Sequence, residues 1–146
     1  MSDGVFNIAK GAFAEMFRDG AANGIVLLLK ANETETDLID HDELNALLGA
    51  AGNTEADATS YARKTGLTGT VTVDDTNDRV DVDMPDQTWS PLGGASNNTL
   101  TKLVTAYENA AADTTRIPLS HHDFALTTDG SDVSNQFNAS GFGRAA

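Results

Sequence analysis

Between Asn23-Gly24 and the polar stretch that opens at Asn32, the chain carries Ile25, Val26, Leu27, Leu28 and Leu29 in one unbroken apolar run, then Lys30 and Ala31. The run has the length of a strand. With no polar residue alternating along it, it reads as a central strand buried on both faces. It is the longest apolar run in the sequence and falls far short of the ~18–20 residues that span a bilayer. No membrane partner is expected. Met1-Ser2-Asp3-Gly4 lacks the basic region of a secretory leader. The 146 residues suit a single domain, 1–146, and a chain of this size buries roughly 70% of its unfolded surface.

Two parts differ in composition. Residues 1–57 are mixed, and residues 58–146 are rich in Thr, Val and Asn, with Gly, Asn and Asp clusters at short intervals. Strands are expected near Thr59–Lys64, Gly69–Val73, Arg79–Met84, Thr88–Leu92, Leu100–Glu108, Thr114–Leu119, Phe124–Thr127, Ser134–Asn138 and Gly141–Arg144. Leu100, Leu103, Val104 and Tyr107 would also fit a helix, but the β-branched content favours a strand. In the first part, Val5, Phe6, Ala9, Phe13, Met16 and Phe17 recur at near-helical spacing, with Asp3 placed to cap and Gly20 to stop. This predicts an amphipathic helix that packs on the domain or docks on a neighbouring subunit. Asn32–Thr36 reads as a polar loop. Asp40 and Glu43 match a capping box before a short helix with Leu44, Leu47 and Leu48 on one face, ended by Gly49 and Gly52. His41 is expected to be exposed. The expected fold class is mainly β: an antiparallel β-sandwich or barrel with an N-terminal amphipathic helix and one short additional helix.

The stretch from Val71 to Trp89 holds six Asp, at 74, 75, 78, 81, 83 and 86. A calcium loop of the EF-hand type would need Gly at its sixth position and Glu at its twelfth. Counted from Asp74, those positions hold Arg79 and Pro85. Apolar residues alternate on both sides of Asp74–Asp78: Val71 and Val73 before it, Val80, Val82 and Met84 after it. That pattern predicts a hairpin with Asp81 and Asp83 on the solvated face. A calcium ion at the turn and a catalytic carboxylate pair are the alternatives, the latter opposed by the missing desolvation.

His121-His122-Asp123 places adjacent imidazoles on opposite faces of a strand, so one should pack inward and the other face solvent rather than share a metal. Ser120 lies beside them, but no Gly-x-Ser-x-Gly elbow occurs, and sequence adjacency does not make a triad. Gly93-Gly94 is not followed by Lys-Ser/Thr, so it is not a phosphate loop. Trp89 is the only Trp and suits either a core position or an interface anchor. With no cysteine in the chain, disulfides, Cys-ligated zinc, iron–sulfur clusters and thiol catalysis are excluded. No cofactor, no metal site and no enzymatic activity are expected.

Nine Lys and Arg stand against 22 Asp and Glu, a net charge of −13. Phosphate backbones are bound through clustered cations, so no nucleic-acid partner is expected. Such a charge suits a high-salt medium, where self-repulsion is screened, and equally a GC-rich coding genome.

The stretches "LLLKANETETD", "DELNALLGAAGNTEA", "YARKTGLTGTVTVDDTNDRVDVDMPDQTW" and "IPLSHHDFALTTDGSDVSNQFNASGFGRAA", taken together over about residues 5–146, resemble virion structural proteins of tailed phages and related viruses. The resemblance implies a head-associated or decoration-like protein on the particle exterior, partnered by the major capsid protein or other virion proteins. It brings no catalytic residues. A homo-oligomer is expected. The candidate contact elements are the N-terminal segment with Phe6, Phe13 and Phe17, the C-terminal strand with Phe142 and Arg144, and Trp89. A tail, neck or vertex-spike protein, or a glycan-binding β-sandwich module, is the alternative.

Overall fold

The computed structural model describes residues 3–9, 13–18, 22–138 and 141–145. At its centre β2 (Gly24–Ala31) has its first six residues buried. It is the doubly covered strand that the apolar run demands. Its alternation is decisive: Ile25, Leu27 and Leu29 enter one hydrophobic cluster, and Val26 and Leu28 enter another. The sheet therefore separates two cores.

β2 pairs along its length with β8 (Thr99–Glu108), which pairs with β9 (Arg116–Thr127), all antiparallel. The outer edge of β9 carries β1 (Gly4–Val5). The far edge of β2 is shared by two short strands, β3 (Thr54–Glu55) and β4 (Lys64–Leu67). Between them the Leu28 N–H donates to the Tyr61 hydroxyl (3.0 Å) and the Ala56 N–H donates to the Leu28 carbonyl (2.8 Å). A side chain thus fills the gap in the ladder. The order is β1-β9-β8-β2-β3, with β4 also on β2, and no pairing among the described residues joins the outer strands. The fold is mainly β with several sheets and short helices; the barrel expectation is corrected to an open sheet.

One face of this sheet is covered by Phe6, by Leu38 of α2 (Glu35–Leu38) and by Leu44 and Leu47 of α3 (Leu44–Gly49). The other is covered by the hairpin β5 (Thr70–Asp74) and β6 (Arg79–Asp83), by Trp89 of β7 (Gln87–Trp89), Val133 of β10 (Val133–Asn135), Phe17 of α1 (Phe13–Phe17), and Phe142. β7 pairs with β10, and β11 (Gly143–Ala145) pairs with β6.

The continuous N-terminal helix is not formed. Residues 4–5 are strand, Asn7–Ala9 is one 3-10 turn, and α1 has five residues. The apolar spacing serves two cores: Phe6 packs on one face of the sheet and Phe17 on the other. Asp3 caps no helix, and Gly20 lies outside the described residues. The expected loop at 32–36 contains the start of α2, where Thr34 Oγ1 accepts from the Asp37 N–H and its hydroxyl donates to Asp37 Oδ2. The Asp40 capping box does not form either. α3 starts later, behind Glu43, which makes no side-chain cap, while Asp40 accepts from the Asn7 amide. Thr59–Lys64 is irregular because Ser60 takes a left-handed φ of 66°. The strands expected at Thr114–Leu119 and Phe124–Thr127 merge into one, β9, which starts only at Arg116, and a register shift beside Pro118 absorbs the missing N–H.

Candidate functional site

The chemistry-bearing side chains gather where β1 lies on the edge of β9. Lys102 on β8 is fully buried. Its Nζ donates to Glu35 Oε1 (2.9 Å) on α2 and to Asp123 Oδ1 (2.6 Å) on β9. The Asp123 N–H donates to Asp3 Oδ1 (2.9 Å), and the second Asp3 oxygen lies 3.3 Å from His122 Nδ1. His122 Nε2 meets Ser120 Oγ at 2.9 Å, and Ser120 Oγ meets Thr105 Oγ1 at 2.6 Å. The strand period puts Ser120 and His122 on one face, and the β8–β9 register sets Lys102 opposite Asp123 and Thr105 opposite Ser120. Asp3 sits at the sheet edge and links the two faces.

Burial pulls the Lys102 ammonium down, but the hydrogen bonds to Asp123 and Glu35 outweigh it and hold its pKa above the usual lysine value. Burial likewise raises the Asp3 carboxyl. The Asp123 N–H and His122 outweigh that and keep it below the ordinary carboxylate range. His121 faces the opposite way from His122. It is 1% exposed, edge-on to Phe6 with ring centroids 5.8 Å apart, and neither ring nitrogen has a hydrogen-bond partner. One histidine inward and one toward the surface is the expected arrangement, although His122 is half-buried and bound at both nitrogens.

Ser120, His122 and Asp3 follow the order of nucleophile, base and orienting acid. The order is insufficient. Ser120 is 1% exposed and shares its hydroxyl with Thr105, whereas a nucleophile must reach its substrate. The cleft of about 750 Å³ beside it is lined by His122, Asp123, Phe124, Gln136, Phe137 and Arg144, and not by Ser120. The sequence marked Ser120 but missed its partner: the bond skips one residue, to His122.

Four of the expected contact residues are spent inside the chain. Phe6, Phe17, Trp89 and Phe142 are 0%, 1%, 2% and 6% exposed. Trp89 donates from Nε1 to the Ala62 carbonyl (2.8 Å) beneath the Lys64 ammonium. Phe142 packs edge-on to Phe17 and tilted on Phe137. Their rings are core, so they do not stand at the surface of this chain. Arg144 does, and it donates from Nε to Asp81 Oδ1 (2.9 Å). The Phe13 side chain lies outside the described set. His41 is half-buried against Glu33, with which it makes a short contact, which corrects its expected exposure.

The acidic stretch is the hairpin that the alternation requires, with Val71 opposite Val82, Thr72 opposite Asp81 and Val73 opposite Val80. Val82 and Met84 are buried, but Val73, near the tip, is 65% exposed. Asp74 accepts from the Asn77 side chain (2.7 Å) and backbone (3.2 Å), and these bonds hold its carboxyl below the usual range. The wet face is corrected at two positions. Asp81 lies under Arg79 and Arg144, because β11 sets Arg144 across from it. Asp83 is half-buried; burial and then the Asp86 charge raise its pKa, so desolvation is present there after all. Among the described residues no group of three or more His, Asp and Glu is placed to hold a metal ion.

A second polar cluster carried no sequence signal. Arg63 donates from Nε and Nη2 to Glu55 (2.7 and 2.6 Å) and from Nη1 to Asp113 (2.8 Å). Arg116 bridges Asp113 and Glu108. Tyr61 donates to Glu55 (2.8 Å), and burial followed by the Glu55 charge drives its phenol well above its usual pKa. These partners stand up to 50 residues apart, so no spacing rule finds them. Asp113 lies in the turn between β8 and β9. Its carbonyl also accepts from the Asn45 N–H of α3, and it locks the β8–β9 connection to the far edge of the sheet. No family model, no curated protein and no solved structure matches the chain.

Proposed function

We propose that the chain is a structural protein of a tailed-virus particle, held on the capsid exterior as a decoration or minor capsid protein. It cements neighbouring capsid subunits as a homo-oligomer and works as a β-sandwich-like shell module with its acidic surface turned to solvent. The observation that carries this reading is where the reactive groups are spent. The Ser120 hydroxyl is buried, His122 is bound at both nitrogens, and Lys102 and Arg63 each bind two carboxylates. These groups hold the chain together. The sequence resemblance supplies the particle.

With the aromatic rings inside, the proposed contact elements narrow to surface groups: Arg144, Val73 on the edge strand β5, and Ile8, which is 39% exposed. Electron microscopy of purified particles tests the proposal. The expected result is density for this fold on the head at a copy number approaching that of the major capsid protein. A low copy number confined to tail, neck or vertices selects the alternative location, and absence from particles overturns the reading. The cleft beside His122 favours a second reading, a glycan-binding module, because rings of Phe124 and Phe137 stand there with Gln136, Asn138 and Asp123. Saturable retention on immobilised oligosaccharides would select it.

A further inference from the structure

His121 is the group that the polar network leaves out. It is 1% exposed and neither Nδ1 nor Nε2 has a partner. The segment Gly4–Phe6 lies directly over it. Gly4 pairs with His121 and Val5 with Ser120, and the Phe6 N–H donates to the Leu119 carbonyl (3.0 Å). The fit is close: a Cβ on Gly4 would stand 2.6 Å from His121 Nε2. Phe6 closes the other side of the ring. A recess of about 300 Å³, bounded by Asp3, Glu35, Thr36, Ile39 and His121, lies beside the ring, but both ring nitrogens are sealed from solvent.

A neutral imidazole costs little here. A charged one has no hydrogen-bond acceptor, and a buried, unpaired ion is among the costliest groups in a protein. Four charged or titratable groups act on its balance. β8 brings Lys102, which repels a charge on His121, and β9 itself brings His122, which does the same. Glu35 on α2 and Asp3 before β1 attract it, but Glu35 is held by Lys102 and Asp3 by His122. β1, the 3-10 turn at Asn7–Ala9 and α3 carry no titratable side chain.

We propose that protonation of His121 releases the segment Asp3–Phe6 from the edge of β9, making this strap an acid-operated latch. The closed strap excludes the proton, and the open one lets imidazole titrate at its ordinary value. Burial, then Lys102, lowers the closed-state pKa, in keeping with this. The sign follows: strap closure is unaffected above about pH 6.5 and weakens below it, by about tenfold per pH unit until the closed state also protonates. Release leaves the backbone of β9 from Leu119 to Asp123 without its covering strand, an edge able to pair with another chain. The latch does not depend on the virion reading.

Hydrogen exchange on the intact chain tests it, corrected for intrinsic rates. The probes are the Phe6 amide, bonded to Leu119, and the Asp123 amide, bonded to Asp3. Between about pH 7.5 and about pH 5.5 both should lose about tenfold in protection, while β2 amides keep theirs. His121→Phe should abolish the loss. Equal protection at both pH values, or an undiminished loss in His121→Phe, overturns the latch. Should His121→Phe not fold, the wild-type His121 ring is followed by NMR. Ring protonation in step with Phe6 deprotection supports the proposal. A ring that stays neutral through deprotection, or charges with the strap still protected, overturns it.

Discussion

Lys102 shows how a single buried charge is made tolerable. Its side chain is 0% exposed, and its two carboxylates keep about a third of their own surfaces in water. Removing the cation therefore has two separable costs, a void and two unpaired acids. Lys102→Ala incurs both and should destabilise by about 3–5 kcal/mol. Lys102→Met fills the space and lets Glu35 and Asp123 turn to solvent, so its cost should be smaller, about 1–3 kcal/mol. Urea midpoints at neutral pH read the difference. Equal costs for the two variants would show that the pair, and not the volume, sets the penalty. The raised Lys102 pKa also fixes a pH limb. Its stabilisation is complete below the ordinary lysine value near 10.4 and is lost as pH climbs through the higher folded value. Above about pH 10.4 the wild type should lose stability faster than Lys102→Met does.

α1 has five residues, too few to be stable as an isolated helix. It stays in place because Phe17, 1% exposed, drops into a notch above Gly69, just before β5. A Cβ on Gly69 would stand 2.1 Å from Phe17 Cδ1. Gly69→Ala should thus cost about 1–3 kcal/mol by overpacking and Phe17→Ala about 3–5 kcal/mol by leaving a cavity. The double variant should cost less than their sum, because the smaller ring site removes the clash. Additive costs in thermal unfolding would place Phe17 elsewhere. This docking also shows where the sequence was legible. Period two and unbroken apolar runs report a strand's own faces, so β2 and the β5–β6 hairpin could be read directly, while β8, whose apolar spacing also fits a helix, is read from its β-branched content. Neighbours are not a local property. Nothing near Arg144 says that it lies across from Asp81, and nothing near Gly4 says that it covers His121. The N-terminal spacing misled for the same reason: Phe6 and Phe17 look like one helical stripe, yet they belong to opposite sides of the sheet. At the candidate site the residue types were visible, and the bonds that spend them were not.

Across the whole molecule the charges are distributed unequally between pairing and repulsion. Among the described cations, Arg18, Lys30, Arg63, Arg79, Lys102, Arg116 and Arg144 each meet a carboxylate, and Lys64 lies 5.4 Å from the Trp89 ring centre. With nine cations against 22 acids, the acids outnumber the cations available to pair with them, and the net charge of −13 is self-repelling. Added salt screens both kinds of interaction, but not equally. The ion pairs centred on Lys102, Arg63 and Arg116 are largely shielded from solvent and are screened little. Repulsion between exposed acids acts through water and is screened strongly, as the Debye length falls from about 10 Å at ~0.1 M to about 3 Å at ~1 M. Relief should win. A gain on the order of 1–2 kcal/mol corresponds to a rise in Tm of roughly 2–8 °C for a chain of this size. Scanning calorimetry in KCl across that range checks the sign. Asp75→Lys, at the exposed hairpin tip, removes part of the repulsion directly, so it should raise Tm at low salt and flatten the salt response. A Tm that falls with KCl would mean that the ion pairs, and not the unpaired acids, dominate the electrostatics of the folded chain.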